Sequence, residues 1–315
     1  MDAPRDPALG SLMVIVTGVM HAISIPLVGG RIYDRVVPSW RLSWDGYFLI
    51  AAVVFDFIQW VFLLLSIGYG YGHDHRYVPA SQFLPLAKFL FLSQPFSVWA
   101  LSCAKISVAC CLLRIQRGST RPPSWRMFLY CLIGVQAIIC AVITYFQFTG
   151  CRPLRANWGE RVPGAECVDV GTARTSIFVS LSMVAFTDLT FALLPLPLLR
   201  YKPPVHEKVA IYSIVFVGFL AMCATIARTT FVDNFVYGKE ILVSGVGLTI
   251  CTNLETQLAI MAASVACLKR PLEKLLRKLG VIDSKLRHDE EEELRQVTRA
   301  GGVESAGADT LNDGP

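Results

Sequence analysis

The stretch Thr187–Lys208, TDLTFALLPLPLLRYKPPVHEK, decides how the chain is read, together with the apolar run that enters it from Ile177. Between Ile177 and Leu199 the sole ionisable side chain is Asp188, with about 17 Å of helix on either side at 1.5 Å per residue. A run of that length spans a bilayer core. Asp188 is therefore expected near the membrane midplane, where a carboxylate is costly and turns toward a partner or a wet cavity. The run stops at Pro195 and Pro197, followed by Arg200, Lys202, Pro203 and Pro204. Proline ends the helix, and the cations mark a cytoplasmic exit.

Composition extends this reading to the rest of the 315 residues. Hydrophobic residues make up 54% and charged ones 17%, and the mean hydropathy is +0.51, which points to a multispan membrane protein. The net charge of +5 does not imply nucleic acid, because Lys and Arg sit in short clusters between apolar runs with no basic-aromatic face. The expected partner is the lipid bilayer. Eight of the ten cysteines, including Cys103, Cys111 and Cys140, fall inside apolar runs and read as small core residues. Cys151 and Cys167 differ, since both fall in the one long polar loop. No Cys/His spacing of a zinc site occurs. The pair His73 and His75 around Asp74 reads as a solvated loop.

Seven runs follow in order. Leu9–Val28 is too long for a signal-peptide core and lacks a basic leader, so it reads as a retained helix, with His21 as a hydrogen-bonded bundle residue. Tyr47–Ile67 carries Asp56 near its middle, and Phe83–Leu113 holds Lys105 and closes on Arg114 and Arg117. Met127–Phe148 has no charge, and Ile177–Leu199 is the opening stretch. Val209–Phe231 ends near Arg228, which places that residue close to the outer boundary; Ile241–Leu268 is centred on Glu255. Counting Lys and Arg in alternate loops orients the bundle: Arg31, Arg35, Arg41, then Arg114 to Arg126, Arg200 to Lys208, and Lys269 to Lys278 share one side. The positive-inside rule makes that side cytoplasmic, giving an all-α seven-helix bundle with the N-terminus outside. Residues 1–8 form a short extracellular N-terminus, 9–279 the membrane domain and 280–315 a cytoplasmic tail. Lys269–Arg295 reads as an amphipathic surface helix, and from Ala300 the composition is that of a disordered tail. Cys151 and Cys167 then lie in a disulfide-permissive compartment, and a bridge between them is expected.

The ordered set of signals resembles the large fungal family of seven-helix membrane proteins with a fungal rhodopsin-like domain, which includes a satratoxin-cluster type. The matching pieces are Trp44 and Asp45; Gly70 and Gly72; Lys105, Ile106, Ser107 and Arg114; Cys151, Arg152, Pro153, Trp158 and Cys167; Asp188, Pro195 and Pro197; Lys208, Phe216, Gly218 and Arg228; and Glu255 with Pro271. They cover roughly 11–279. Where the family usually has two acids before its second helix, this chain has Asp45 and then Gly46. Despite the family's name, retinal is not expected, nor is another cofactor, because the lysines near the seventh run, Lys239 and Lys269, lie at its two ends. The third and seventh runs also lack the coupling motifs of animal G-protein-coupled receptors.

The buried charges Asp56, Lys105, Asp188, Glu255 and Arg228 are expected to converge, since Thr252, Glu255, Ala259, Ala262 and Ala266 share one helical face, as do Ser176, Ser180 and Asp188. Three readings of that polar core are open. Lys105 pairs with Asp188 or Glu255 and fixes how the helices dock. Alternatively, the core binds a small apolar metabolite, or a buried acid (Asp188, Glu255 or Asp56) acts as general acid in an intramembrane, terpene-cyclase-like reaction. No phosphate-cradling glycine loop or activated hydroxyl supports an ATP-driven pump or a hydrolase. The functional expectation is a receptor-like or metabolite-handling membrane protein; a place in secondary metabolism follows from the metabolite reading if pathway genes lie beside it. An intramembrane enzyme ranks second. A transporter is third, because the paired broken segments of inverted-repeat carriers are not seen.

Overall fold

The computed structural model describes residues 8–37, 43–73, 78–115, 123–160, 162–194, 212, 215–216, 218–228 and 241–266. Among them are seven helices: α1 (Ala8–Val36), α2 (Trp44–Gly68), α3 (Ala80–Ile115), α4 (Pro123–Thr149), α5 (Val170–Leu193), α6 (Gly218–Arg228) and α7 (Ile241–Ala266). The first five are long and apolar enough to cross a membrane. The terminating prolines Pro195 and Pro197, the amphipathic segment Lys269–Arg295, the tail and the Asp74–His75 pair lie outside the described residues.

The helices form for reasons visible in the chain. Each is a long apolar run, and in hydrocarbon a helix satisfies its own backbone groups. The helix α3 nonetheless continues through Pro85 and Pro95, and the Phe91 carbonyl that Pro95 frees accepts a 3.2 Å hydrogen bond from Gln147 Nε2. The helix α5 starts earlier than its apolar run, because Asp169 caps it: its carboxylate accepts a 3.0 Å hydrogen bond from the Gly171 amide. Asp188 lies toward the far end of the described part of α5, and the rest of the run to Leu199 lies outside the described residues.

The helices α2 and α3 pack along their lengths, α7 lies against α1 and α3, and α4 packs on the outside of α3. Large apolar side chains cover the periphery: Ile138 on α4 is 63% exposed and Phe186 on α5 is 67% exposed. In water such a surface would aggregate; facing acyl chains it is the expected exterior.

Between α4 and α5 the chain forms a two-stranded antiparallel hairpin, β1 (Cys151–Arg152) with β2 (Glu166–Cys167), in which Cys151 stands opposite Cys167. A disulfide joins the two. Trp158 of this loop lies 5.8 Å from the Phe91 ring, with Lys88 Nζ 5.9 Å from the Trp158 ring, so the hairpin is pinned onto the start of α3. Cys111 is also disulfide-bonded, which corrects its reading as simple core filler.

The interior is layered. Toward the disulfide end Met13, Leu63, Tyr71, Leu86 and Val246 form one apolar cluster. At the opposite end Val28, Leu49, Ala104, Leu112, Leu129, Phe191, Ile260 and Ala263 belong to a second. Between these layers the buried side chains are polar, among them His21, Asp56, Gln59, Ser97, Asn253 and Gln257. Close approach at the disulfide end depends on glycine: Gly72 has φ +94°, and a Cβ there would lie 3.1 Å from the Gly10 backbone.

Candidate functional site

The helices α3, α5 and α6 meet around Lys105. Its ammonium lies 2.9 Å from Asp188 Oδ1 and donates to Thr187 Oγ1 at 2.9 Å. The side chains of Lys105 and Asp188 are 4% and 5% exposed. Consecutive residues Thr187 and Asp188 both serve the lysine, while Phe186 faces outward. From α6, the Thr225 hydroxyl lies 3.3 Å from Asp188 Oδ2 and 3.1 Å from the carbonyl of Ala221 in its own helix. Glu255, midway along α7 and fully buried, receives Arg228 Nη1 at 3.3 Å. The result is a path of neighbouring charges, Lys105, Asp188, Glu255 and Arg228, in which two cations balance two carboxylates. Arg228, the last described residue of α6, reaches Glu255 midway along α7 with its guanidinium.

A cavity of about 50 Å3 opens beside this path. Its walls include Phe191 and Ala192 of α5, Gly218 and Ala221 of α6 and Ala262 of α7, with Lys105 and Asp188 at its polar margin. Among the carboxylates Asp188 borders the space; Glu255 faces Arg228 instead. The small residues also set the helix spacing. A Cβ added at Gly218 would fall 2.5 Å from Ala192 Cβ, so α6 lies against α5 at a distance no larger side chain permits.

Asp56 does not join this group, which corrects the expectation of one convergent charge cluster. It belongs to a second site between α1, α2 and α7. His21 Nδ1 donates to the Thr17 carbonyl at 2.8 Å, and its Nε2 faces Asp56 Oδ2 at 2.9 Å and Gln257 Nε2 at 3.0 Å. Gln257 donates to Asp56 Oδ2 at 2.7 Å, and Trp60 stacks on His21 at 4.6 Å. The division follows from helix geometry: Glu255 and Gln257 are two residues apart and project about 200° from one another, so α7 presents one to α6 and the other to α1 and α2. His21 was legible as a bundle residue, though its partner was not. The depth of His21 and Asp56, each near the middle of its own helix, was the available signal. Gln257 is uncharged and left none.

A third cluster closes the end opposite the disulfide. Arg31 Nη2 lies 2.7 Å from Asp45 Oδ2, and Arg31 also donates to the Ala263 carbonyl. Arg35 and Arg114 approach the same carboxylate at 3.7 Å, and Ser107 donates to the Asp45 carbonyl at 2.7 Å. By sequence Arg31 is a loop cation; in the structure it is a buried tie between α1, α2 and α7.

Three or more His, Cys, Asp or Glu side chains do not gather into a metal-holding group among the described residues. Compared with known proteins, the family model described as the fungal rhodopsin domain matches residues 30–274. No curated protein and no solved structure matches the chain.

Proposed function

Because the chain belongs to the fungal rhodopsin domain family and is a multi-pass membrane protein, we propose that it is receptor-like and holds a small apolar metabolite between α3, α5, α6 and α7. The observation that carries this is the cavity itself: apolar walls of Phe191, Ala192, Ala221 and Ala262, with the buried Lys105–Asp188 pair at one margin. Ligand sites in bundles combine an apolar body with a few fixed polar groups, and this space has that composition. A ligand with one polar group meets a lysine ammonium and a carboxylate whose positions Thr187 and Thr225 already fix. Ligand entry at the membrane is consistent with an apolar molecule that partitions into lipid first. Helix orientation in this reading has the disulfide hairpin outside, as the distribution of Lys and Arg suggests.

The experiment is to purify the full chain from a fungal host in mild detergent, extract it with organic solvent and identify small molecules by mass spectrometry. A lipophilic species is expected with the wild type and should fall about tenfold or more with Ala262→Phe, which grows into the cavity. Equal recovery from both proteins removes the cavity as the binding site. A second reading, intramembrane acid catalysis in a biosynthetic pathway, has one supporting observation, that Asp188 borders the cavity. It predicts that Asp188→Asn leaves folded protein in the membrane but abolishes a product.

A further inference from the structure

The cluster at the end opposite the disulfide is out of electrical balance. Arg31 and Arg35 of α1 and Arg114 of α3 converge on the single carboxylate of Asp45. That carboxylate also occupies the first turn of α2, where the helix dipole already favours a negative charge. Cations remain in excess even when Asp34, beside Arg35 in α1, is counted. Arg31 is buried and engaged by Asp45 and the Ala263 carbonyl. The other two guanidiniums are placed differently. Arg35 Nη2 stands 3.7 Å from Asp45 Oδ2 and Arg114 Nη1 3.7 Å from Oδ1, beyond hydrogen-bond reach, and neither side chain has a hydrogen bond among the described residues. Their side chains are 18% and 43% exposed, so two planar forks of N–H groups, from two helices, are reachable at one point from outside the bundle.

A guanidinium fork pairs two donors with two oxygens of an anion, and two forks at one point suit a group with three free oxygens. A phosphate monoester has them, and its charge of about −1.5 to −2 offsets the excess of cations. A carboxylate brings two oxygens and one charge. The surroundings set the depth of that anion. Trp44, next to Asp45, is 75% exposed with its ring 6.3 Å from that of Tyr47, and Tyr33, between Arg31 and Arg35, is exposed as well. Aromatic rings with a polar edge collect at the level of lipid headgroups, so the arginines stand where a lipid phosphate does.

We propose that Arg35 and Arg114 grip the phosphate monoester of an anionic phospholipid, with the buried Arg31–Asp45 pair fixing the ends of α1 and α2 behind them. The bound headgroup ties the end of α1 to the end of α3. The test is lipid retention by the full chain, purified in mild detergent and mixed with equal amounts of dioleoyl phosphatidic acid and dioleoyl phosphatidylcholine. Native mass spectrometry reads the bound lipid, and thermal unfolding is the second readout. The wild type should retain phosphatidic acid about tenfold or more over phosphatidylcholine. Arg35→Gln combined with Arg114→Gln should remove that preference, and the variant should unfold in phosphatidylcholine alone no earlier than the wild type, since neither side chain hydrogen-bonds within the protein. Arg35→Lys with Arg114→Lys keeps the charge and loses the forks; it should also lose most of the preference, and it keeps the test decisive if the glutamine variant does not fold. Arg126→Gln changes a cation on α4 at the same end and should leave the preference intact. An equal loss with Arg126→Gln would reduce the effect to diffuse attraction and overturn the site, as would equal retention of the two lipids by the wild type. Inorganic phosphate that displaces phosphatidic acid and raises Tm by as much would overturn the lipid as the source and leave a site for free phosphate.

Discussion

Lys105 is held by two partners on one helix, Thr187 and Asp188, and Asp188 in turn by Thr225 on another. Removing one member of a buried pair leaves the other charged and alone in a medium that does not solvate it, at a cost of about 3–5 kcal/mol. Lys105→Met should therefore lower stability by that order, and Asp188→Asn likewise, measured by thermal unfolding in micelles. The double variant should be less damaging than the sum of the singles, with a coupling of about 1–3 kcal/mol; strict additivity would mean another acid holds the lysine. Thr225→Val removes a neutral donor and should cost only about 1 kcal/mol. The residue types in these pairs were visible in the sequence, because charge in an apolar run stands out. The pairings were not: Lys105 and Thr187 are separated by 82 positions, and nothing in either run states which way its helix faces. Asp56 shows the same limit, since its partners are a histidine on α1 and a glutamine 201 positions away on α7.

At the scale of the helices, contact between α5 and α6 depends on one absent side chain. Gly218→Ala places a methyl 2.5 Å from Ala192 Cβ, so the helices must separate, and Tm should fall. Ala192→Gly should restore most of the loss in the double variant, which distinguishes a spacing effect from a general loss of helix propensity. The helices themselves were easy to read, because an uninterrupted apolar run of bilayer length has few other solutions. Their limits were less so. The early start of α5 depends on the Asp169 cap, a single side-chain hydrogen bond outside the apolar run. Likewise Arg31 sits inside α1 and not in the loop that follows, because Asp45 and the Ala263 carbonyl give it a reason to be buried.

Across the whole molecule, the disulfide hairpin and the charge distribution make independent predictions. The Cys151–Cys167 bridge closes a loop with a sequence separation of 16, so its loss should cost about 3 kcal/mol. Cys151→Ser, Cys167→Ser and the double variant should unfold at the same lowered temperature. The proposed orientation predicts that a tag on the N-terminus is reachable by a membrane-impermeant label in intact cells while a C-terminal tag is not. Labelling of the C-terminal tag alone would invert the bundle.

The placement of Glu255 and Gln257 on opposite sides of one rod gives α7 a mechanical character. Turning it about its long axis cannot favour one neighbour without stripping contacts from the other, so α7 is locked against rotation from both flanks, while sliding disturbs both sets of contacts alike. An extra residue inserted after Thr256 would swing the following segment by about 100° and detach Gln257 from Asp56 and His21 while sparing Arg228.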